Sequence, residues 1–433
     1  MSKNQDMEWE ESRKTAEDCL KFIERGVSCY HVVANAAEAL EEAGYEELQE
    51  HRAWNLKMGG CYYVKRNASS LIAFRLPEQK IKGFHIVASH SDSPCFKLKE
   101  NPEMTVEQQY TRLNVEPYGG MIYSTWFDRG LSVAGRLVCE AKEGLKEIPV
   151  CIDEDLLVIP SLAIHMNREA NKGMEYNPQT DLLPVMGSVE ARGSLMKKLA
   201  EAAGIEAEKI LGSDLFLYVR DQGKLVGAES EWMLSPRLDD QECVYASLKG
   251  LLQAKPEEYV NICAVFDNEE VGSRSRQGAA STFLQDTLER IGEVLELRPG
   301  EYRMLLADSF MISADNAHGL HPNHPEKADP VNRPALNGGI VLKHHGGQKY
   351  TTDGVTAAYM RLLCKEAGVP CQDYTNRSDV PGGSTLGNIS AGRVSIPAAD
   401  IGLSQLAMHS AVEMAGSRDV LYLIKVLNQF YSK

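Results

Sequence analysis

The sequence predicts an α/β fold with a β-rich module set into it, and three features of the chain carry that prediction. Before residue 94, helical periodicity gives way to three short runs rich in aromatic and branched residues. Between about 95 and 234 strand-like pieces follow one another almost without helices. From 235 onward amphipathic helices alternate with apolar runs of strand length, the pattern of a sheet with helices on both faces. The chain is therefore read as an α/β domain in two halves, 1–94 and 235–433, with a β-rich insert at 95–234.

The elements follow in order. Residues 8–48 read as helical, and "SCYHVVANAAEALEEAG" stops at Gly44, a natural helix end. "CYYVKR", "SSLIAFRL" and "GFHIVASH" read as strands. In the insert "MIYSTWF", "LSVAGRLVCE" and "LLVIPSLAIH" look like strands, and "SLMKKLAEAAG" like a helix. "SPRLDDQECVYASLKGLLQA" opens the second half as a helix with Asp239 or Asp240 as a candidate N-cap. "VNICAVF", "GIVLKHH" and "RVSIPAADI" are the strand-length runs that follow. "PGGSTLG" at 381–387 lacks the lysine and spacing of a phosphate loop and reads as a tight turn opening a helix. "HRAWNLKMGG" reads as surface.

Composition removes several function classes. With 433 residues and a net charge of -15, the chain has ample core and a poor charge balance for nucleic acid or an anionic membrane. No run approaches the length needed to span a bilayer, and the polar start carries no secretory pattern. Ten cysteines occur without a C-x-x-C pair, the closest being Cys364 and Cys371, which fits reduced thiols in a cytoplasmic protein.

Metal-capable side chains recur where strands end or helices begin. "IVASHSDSP" offers His90, with Asp92 placed to hold its ring; "SPRLDD" offers Asp239 or Asp240; "FDNEE" offers Glu269 and Glu270. "ISADNAHGLHPNH" adds Asp315, and "QLAMHSAVEMAG" adds His409. Of the clustered histidines His318, His321 and His324, Pro322 argues for a loop rather than a helix face. Each residue alone is more simply a cap or an exposed side chain. Together they converge on the place where open α/β sheets collect their sites, the carboxyl ends of strands. Two metals sharing one aspartate need about five protein ligands, and one further acid remains to deprotonate a water. In that arrangement one member of the Glu269–Glu270 pair binds metal and its neighbour is the base.

At these residues the sequence resembles the aspartyl aminopeptidase family of dinuclear zinc exopeptidases. "ASHSDSPCFKLK", "WFDRGLSVAGRL", "IPSLAIHMN", "SPRLDD", "FDNEEVGS", "SADNAHGLHPNH" and "QLAMHS" follow in that family's order over nearly the whole chain. The resemblance implies a zinc-exopeptidase-like sheet and an inserted dimerisation domain. It implies two zinc ions per subunit, bridged by Asp239, with His90 and Asp315 completing one site and Glu270 and His409 the other. It further implies Glu269 as general base and Asp92 as the residue orienting His90. The family usually has asparagine after the bridging aspartate; here Asp240 stands there. Lys343 and Tyr350 in "GGIVLKHHGGQKYTTD" match its acidic-residue pocket, and His165 matches a histidine that reaches a neighbouring subunit's active site. The implied activity is removal of N-terminal residues, preferentially Asp or Glu, from peptides by a tetrahedral dodecamer built from dimers. A broad or neutral aminopeptidase, a metal-dependent deacylase and a catalytically silent assembly protein are the alternatives.

Overall fold

The computed structural model describes residues 3–142 and 144–433. The chain forms two compact units: one comprises 1–92, 223–408 and 413–433, the other 93–222 and 409–412.

The first unit is built on a nine-stranded sheet. Its order is Glu46–Leu48, Cys61–Arg66, Ser70–Arg75, Tyr259–Phe266, Gly83–His90, Phe310–Ala314, Ala398–Gly402, Ile340–His344 and Cys371–Thr375. The four consecutive strands from Tyr259–Phe266 to Ala398–Gly402 are mutually parallel, so their carboxyl ends open on one side. Period-two alternation fills both faces. Phe84, Ile86 and Ala88 enter one apolar cluster, with Phe283 and Leu288 from the helix Phe283–Val294. Val87 enters the other, with residues of the helices Cys29–Glu42, Leu238–Gln253, Gly354–Ala367 and Asp419–Tyr431. Helices thus cover both faces, as the alternation predicts.

A second sheet in this unit pairs Lys224–Val226, Trp232–Ser235, Glu413–Gly416, Ser404–Leu406 and Ala317–His318. The strands at 224–226 and 232–235 pair with each other, and the second of them pairs with Glu413–Gly416 in the C-terminal part of the chain. That partner lies far along the sequence, so a local reading assigns them to the insert.

The second unit holds a six-stranded antiparallel sheet and the helix Leu195–Ala203, which stops at Gly204 in the left-handed region (φ 66°). Its core joins Phe96, Leu131, Leu137 and Leu215, with Trp126 edge-on to Phe96 at 5.2 Å.

Several local expectations change. Glu46–Leu48 is a strand rather than the end of a helical stretch, and the helices are Lys3–Arg25 and Cys29–Glu42. Within "MIYSTWF" the structure has a 3₁₀ turn, Tyr123–Trp126, that buries only Trp126. "LLVIPSLAIH" makes just two isolated bridges, at Leu157 and Val158. Pro160 has no N–H for a ladder, and Leu162 and Ile164 beyond it are exposed. In "RVSIPAADI" the strand starts only at Ala398, after Pro397. The segment read as surface buries Trp54, whose ring lies 3.8 Å from the Arg290 guanidinium.

Candidate active site

Adjacent parallel strands bring the first ligand-capable groups together. Phe266 pairs with His90 in register, so the chain leaves both strands at one level and delivers "SD" beside "DNEE". The Asp92 carboxylate then accepts the backbone N–H groups of Glu269 (3.1 Å) and Glu270 (3.2 Å). These two acids sit in the 3₁₀ turn Glu269–Val271, entered through Asn268 in the left-handed region (φ 62°). Asp92 therefore fixes where both glutamates stand. Its carbonyl also lies 3.0 Å from His90 Nδ1 and its carboxylate 3.5 Å, so the backbone oxygen is the ring's nearer partner. With Nδ1–H directed there, Nε2 is the nitrogen that faces the acids and would offer its lone pair to a bound metal.

His90 Nε2 lies 3.3 Å from Asp239 Oδ1 and 4.0 Å from Asp315 Oδ1. The cap of the helix Leu238–Gln253 is Arg237, in the left-handed region, rather than either aspartate. Asp239 and Asp240 follow with non-helical dihedrals and a cis peptide between them. Asp240 accepts the His90 backbone N–H at 3.1 Å, whereas the Asp239 N–H donates to Glu413 Oε2 at 3.0 Å. Candidate ligand atoms of His90, Asp239, Asp240 and Asp315 lie within 4.8 Å of one another, as do those of His90, Glu269 and Glu270.

Such a concentration of acid needs a counter-charge. Asp92, Asp239, Asp240 and Asp315 are all buried, and Asp240 Oδ1 has no hydrogen-bond partner among the described residues. Burial first, then neighbouring carboxylates, pushes Asp240 and Glu270 well above the usual carboxylate range. The same causes push Glu269 up to about 8, though His90 opposes them. Burial also raises Asp315 against the pull of Lys343, whose Nζ lies 3.5 Å from Asp315 Oδ2. One lysine does not balance this set, and unpaired buried carboxylates are costly. Imidazole and carboxylate donors suit a divalent cation such as zinc. The residues fit a metal.

Comparisons with known proteins decide the family. Residues 22–431 match the model for "Aminopeptidase I zinc metalloprotease (M18)". A probable M18 family aminopeptidase 2 of Clostridium acetobutylicum is 45% identical over 425 residues, covering 96% of this chain and 98% of that protein. The chain belongs to the M18 aminopeptidase family. It is a zinc metallopeptidase that hydrolyses peptide bonds, and His90, Asp239, Asp240 and Asp315 form its candidate metal site. Among solved structures, the Ape4 and Nbr1 complex contains a chain 34% identical, with TM-score 0.94, covering 97% of this chain and 86% of that one. The S. cerevisiae mApe1 dodecamer is 28% identical, with TM-score 0.85 and coverage of 97% and 96%.

Within this M18 chain the structure gathers His90, Asp92, Asp239, Glu269, Glu270, Asp315 and Lys343. Lys343 is only 3% exposed, which rejects a side chain reaching out to solvent. Burial lowers its basicity, but Asp315, Asp400 and Asp239 together hold the ammonium above the ordinary range. Its Nζ stands 5.6 Å from the centre of the buried Tyr350 ring. Two predicted residues belong to the other unit. His409, with φ 64°, begins its segment 409–412, and its Nδ1 lies 2.9 Å from the Gly120 carbonyl. His165 is exposed there, in the turn after Ala163 rather than at a strand end.

Three supporting residues escape the sequence reading. Glu413, buried, holds the Asp239 amide. Asn316 donates to Glu242 at 2.7 Å and to Gln405 at 2.6 Å beneath the site. Asp400 accepts from Thr351 N (2.5 Å), Thr351 Oγ1 (2.6 Å) and Thr385 Oγ1 (2.5 Å). It thereby ties the loop carrying Tyr350 to the "PGGSTLG" turn, and that turn does open a helix, Leu386–Ser390. Only Asp315, one residue before Asn316, flags any of them in the sequence.

Proposed function

We propose that this enzyme removes N-terminal Asp and Glu residues preferentially, with two zinc ions per chain held by His90, Asp239, Glu270, Asp315 and His409. The observation that carries the specificity is Lys343, a buried ammonium whose nearest anion is a candidate metal ligand. A carboxylate shared with a metal leaves that ammonium able to accept a second anion, the side chain of an N-terminal acid. The neighbouring cleft of about 560 Å³ favours the same charge: His318, His321, Lys327 and Arg377 line it against one acid, Asp329. Tyr350 packs beside Lys343, its ring centre 5.6 Å from the ammonium.

Bound zinc would polarise the scissile carbonyl and lower the pKa of a bound water to roughly neutral. The chain's own residues do the rest. Glu269, held by Asp92 through its backbone N–H, takes the water's proton and passes it to the leaving amine. Asp92 keeps His90 in one tautomer, and Glu413 holds the Asp239 backbone.

The β-rich unit is proposed as a dimerisation domain of a tetrahedral dodecamer, working in the cytoplasm, with His165 completing a neighbouring subunit's site. The exposure of Leu162, Ile164 and Met166 around His165 supports that reading.

Lys343→Met should lower kcat/KM for Asp- and Glu-initiated peptides by roughly 10- to 100-fold, the worth of a charge-assisted contact of about 1.5–3 kcal/mol. Leu-initiated peptides should be spared. The same assay run on His165→Phe should show loss of activity with zinc retained. Equal losses of Lys343→Met on acidic and apolar substrates would withdraw the acidic preference. They would favour broad specificity, in which Lys343 serves only Asp315.

A further inference from the structure

Cys364 and Cys371, the closest cysteines in the sequence, play no part in the site described above. The helix Gly354–Ala367 ends at Gly368 in the left-handed region (φ 68°). Gly368 N–H donates to the Cys364 and Lys365 carbonyls, and Val369 N–H to the Cys364 carbonyl at 2.8 Å. This is the chain reversal that glycine permits at a helix end. It turns the backbone so that Cys371, first residue of the strand Cys371–Thr375, stands against the helix it has just left. The two side chains are close enough to interact directly.

We propose that Cys364 and Cys371 form a thiol–disulfide exchange site that closes to an intramolecular disulfide on reaction with a small-molecule disulfide such as oxidised glutathione. The pair divides the two roles this chemistry requires. Cys371 is exposed, the only exposed cysteine among the described residues, whereas Cys364 is 1% exposed. A bulky disulfide can therefore reach only Cys371. The contact with Cys364, with the Arg361 guanidinium assisting, draws the Cys371 thiol below its ordinary range against burial and Asp373, while the same contact and burial push Cys364 up. Of the two sulfurs, the accessible one therefore ionises more readily.

The exchange balances in two steps. The Cys371 thiolate attacks one sulfur of oxidised glutathione, breaking its S–S bond and releasing one glutathione thiolate. Cys364 then attacks Cys371 Sγ of the mixed disulfide and expels the second glutathione, its proton passing to solvent. The protein loses two electrons and two protons, and one small disulfide becomes two thiols. The product staples the end of a helix to the edge strand of the nine-stranded sheet.

The test uses the full-length, zinc-loaded enzyme, reduced, desalted and incubated with oxidised glutathione before trapping remaining thiols and mapping peptides by mass spectrometry. The protein should lose two of its ten thiols, carry no glutathione, yield a Cys364–Cys371 linked peptide, and recover fully with a dithiol reductant. Cys364→Ser should stop at a stable glutathione adduct on Cys371, and Cys371→Ser should not react. The wild-type map decides even where a variant folds poorly. Absence of thiol loss, a lasting adduct on wild-type Cys371, or linkage between other cysteines would overturn the proposal.

Discussion

Glu269→Gln should lower kcat by about 10²- to 10⁴-fold, the range over which a positioned general base contributes. Glutamine has the same length, and its backbone N–H still meets Asp92, so the turn that carries it should stand. What is lost is the capacity to accept a proton. Burial, with Asp315, Asp92 and Asp239 nearby, raises Glu269, so acid should protonate it readily. In the wild type kcat should therefore fall as pH decreases, and this acidic limb should disappear in the variant. Zinc content and KM should change little. A variant with near wild-type turnover would remove Glu269 from the chemistry.

Asp239→Ala should have a comparably large effect by a different route. Asp239 Oδ1 lies 3.3 Å from His90 Nε2, and its carboxylate approaches that of Asp315 closely enough for both to serve one ion. Losing an outer partner of a metal ligand costs roughly 10- to 100-fold in affinity, and losing a shared ligand should cost more. At least one zinc should be missing from the purified variant, with activity near background. Asp240→Asn is the control. Asp240 is directed to the His90 backbone N–H, and an amide oxygen can accept that bond as well as a carboxylate can. Zinc retained in Asp239→Ala but lost in Asp240→Asn would exchange the roles of the two residues.

The strand ends were legible because burial on both faces writes continuous apolar runs, and polar residues break them where the chain emerges. "GFHIVASH" and "VNICAVF" show this, and the residues after them are those the structure gathers. Family motifs imply the roles, but not the supports. Asp92 holds Glu269 from 177 positions away, and Glu413 holds Asp239 from 174. Such hydrogen bonds leave no local periodicity. "MIYSTWF" and "LLVIPSLAIH" misled for the opposite reason. Their apolar residues alternate in composition, but Pro160 and a 3₁₀ turn prevent a ladder, and the exposed side chains have no sheet face to fill. Lys343 is a third case. The apolar run by itself gives the lysine no partner, and only the folded sheet shows it 3.5 Å from Asp315.

The most direct test of the account is to strip the purified enzyme of metal and return zinc in measured equivalents, recording bound zinc and turnover of an Asp-initiated peptide together. Turnover should vanish on stripping and return as zinc binds, reaching its plateau at two ions per chain, while Asp239→Ala should never reach it. Turnover that survives complete removal of metal, or returns in full in Asp239→Ala, would contradict the account.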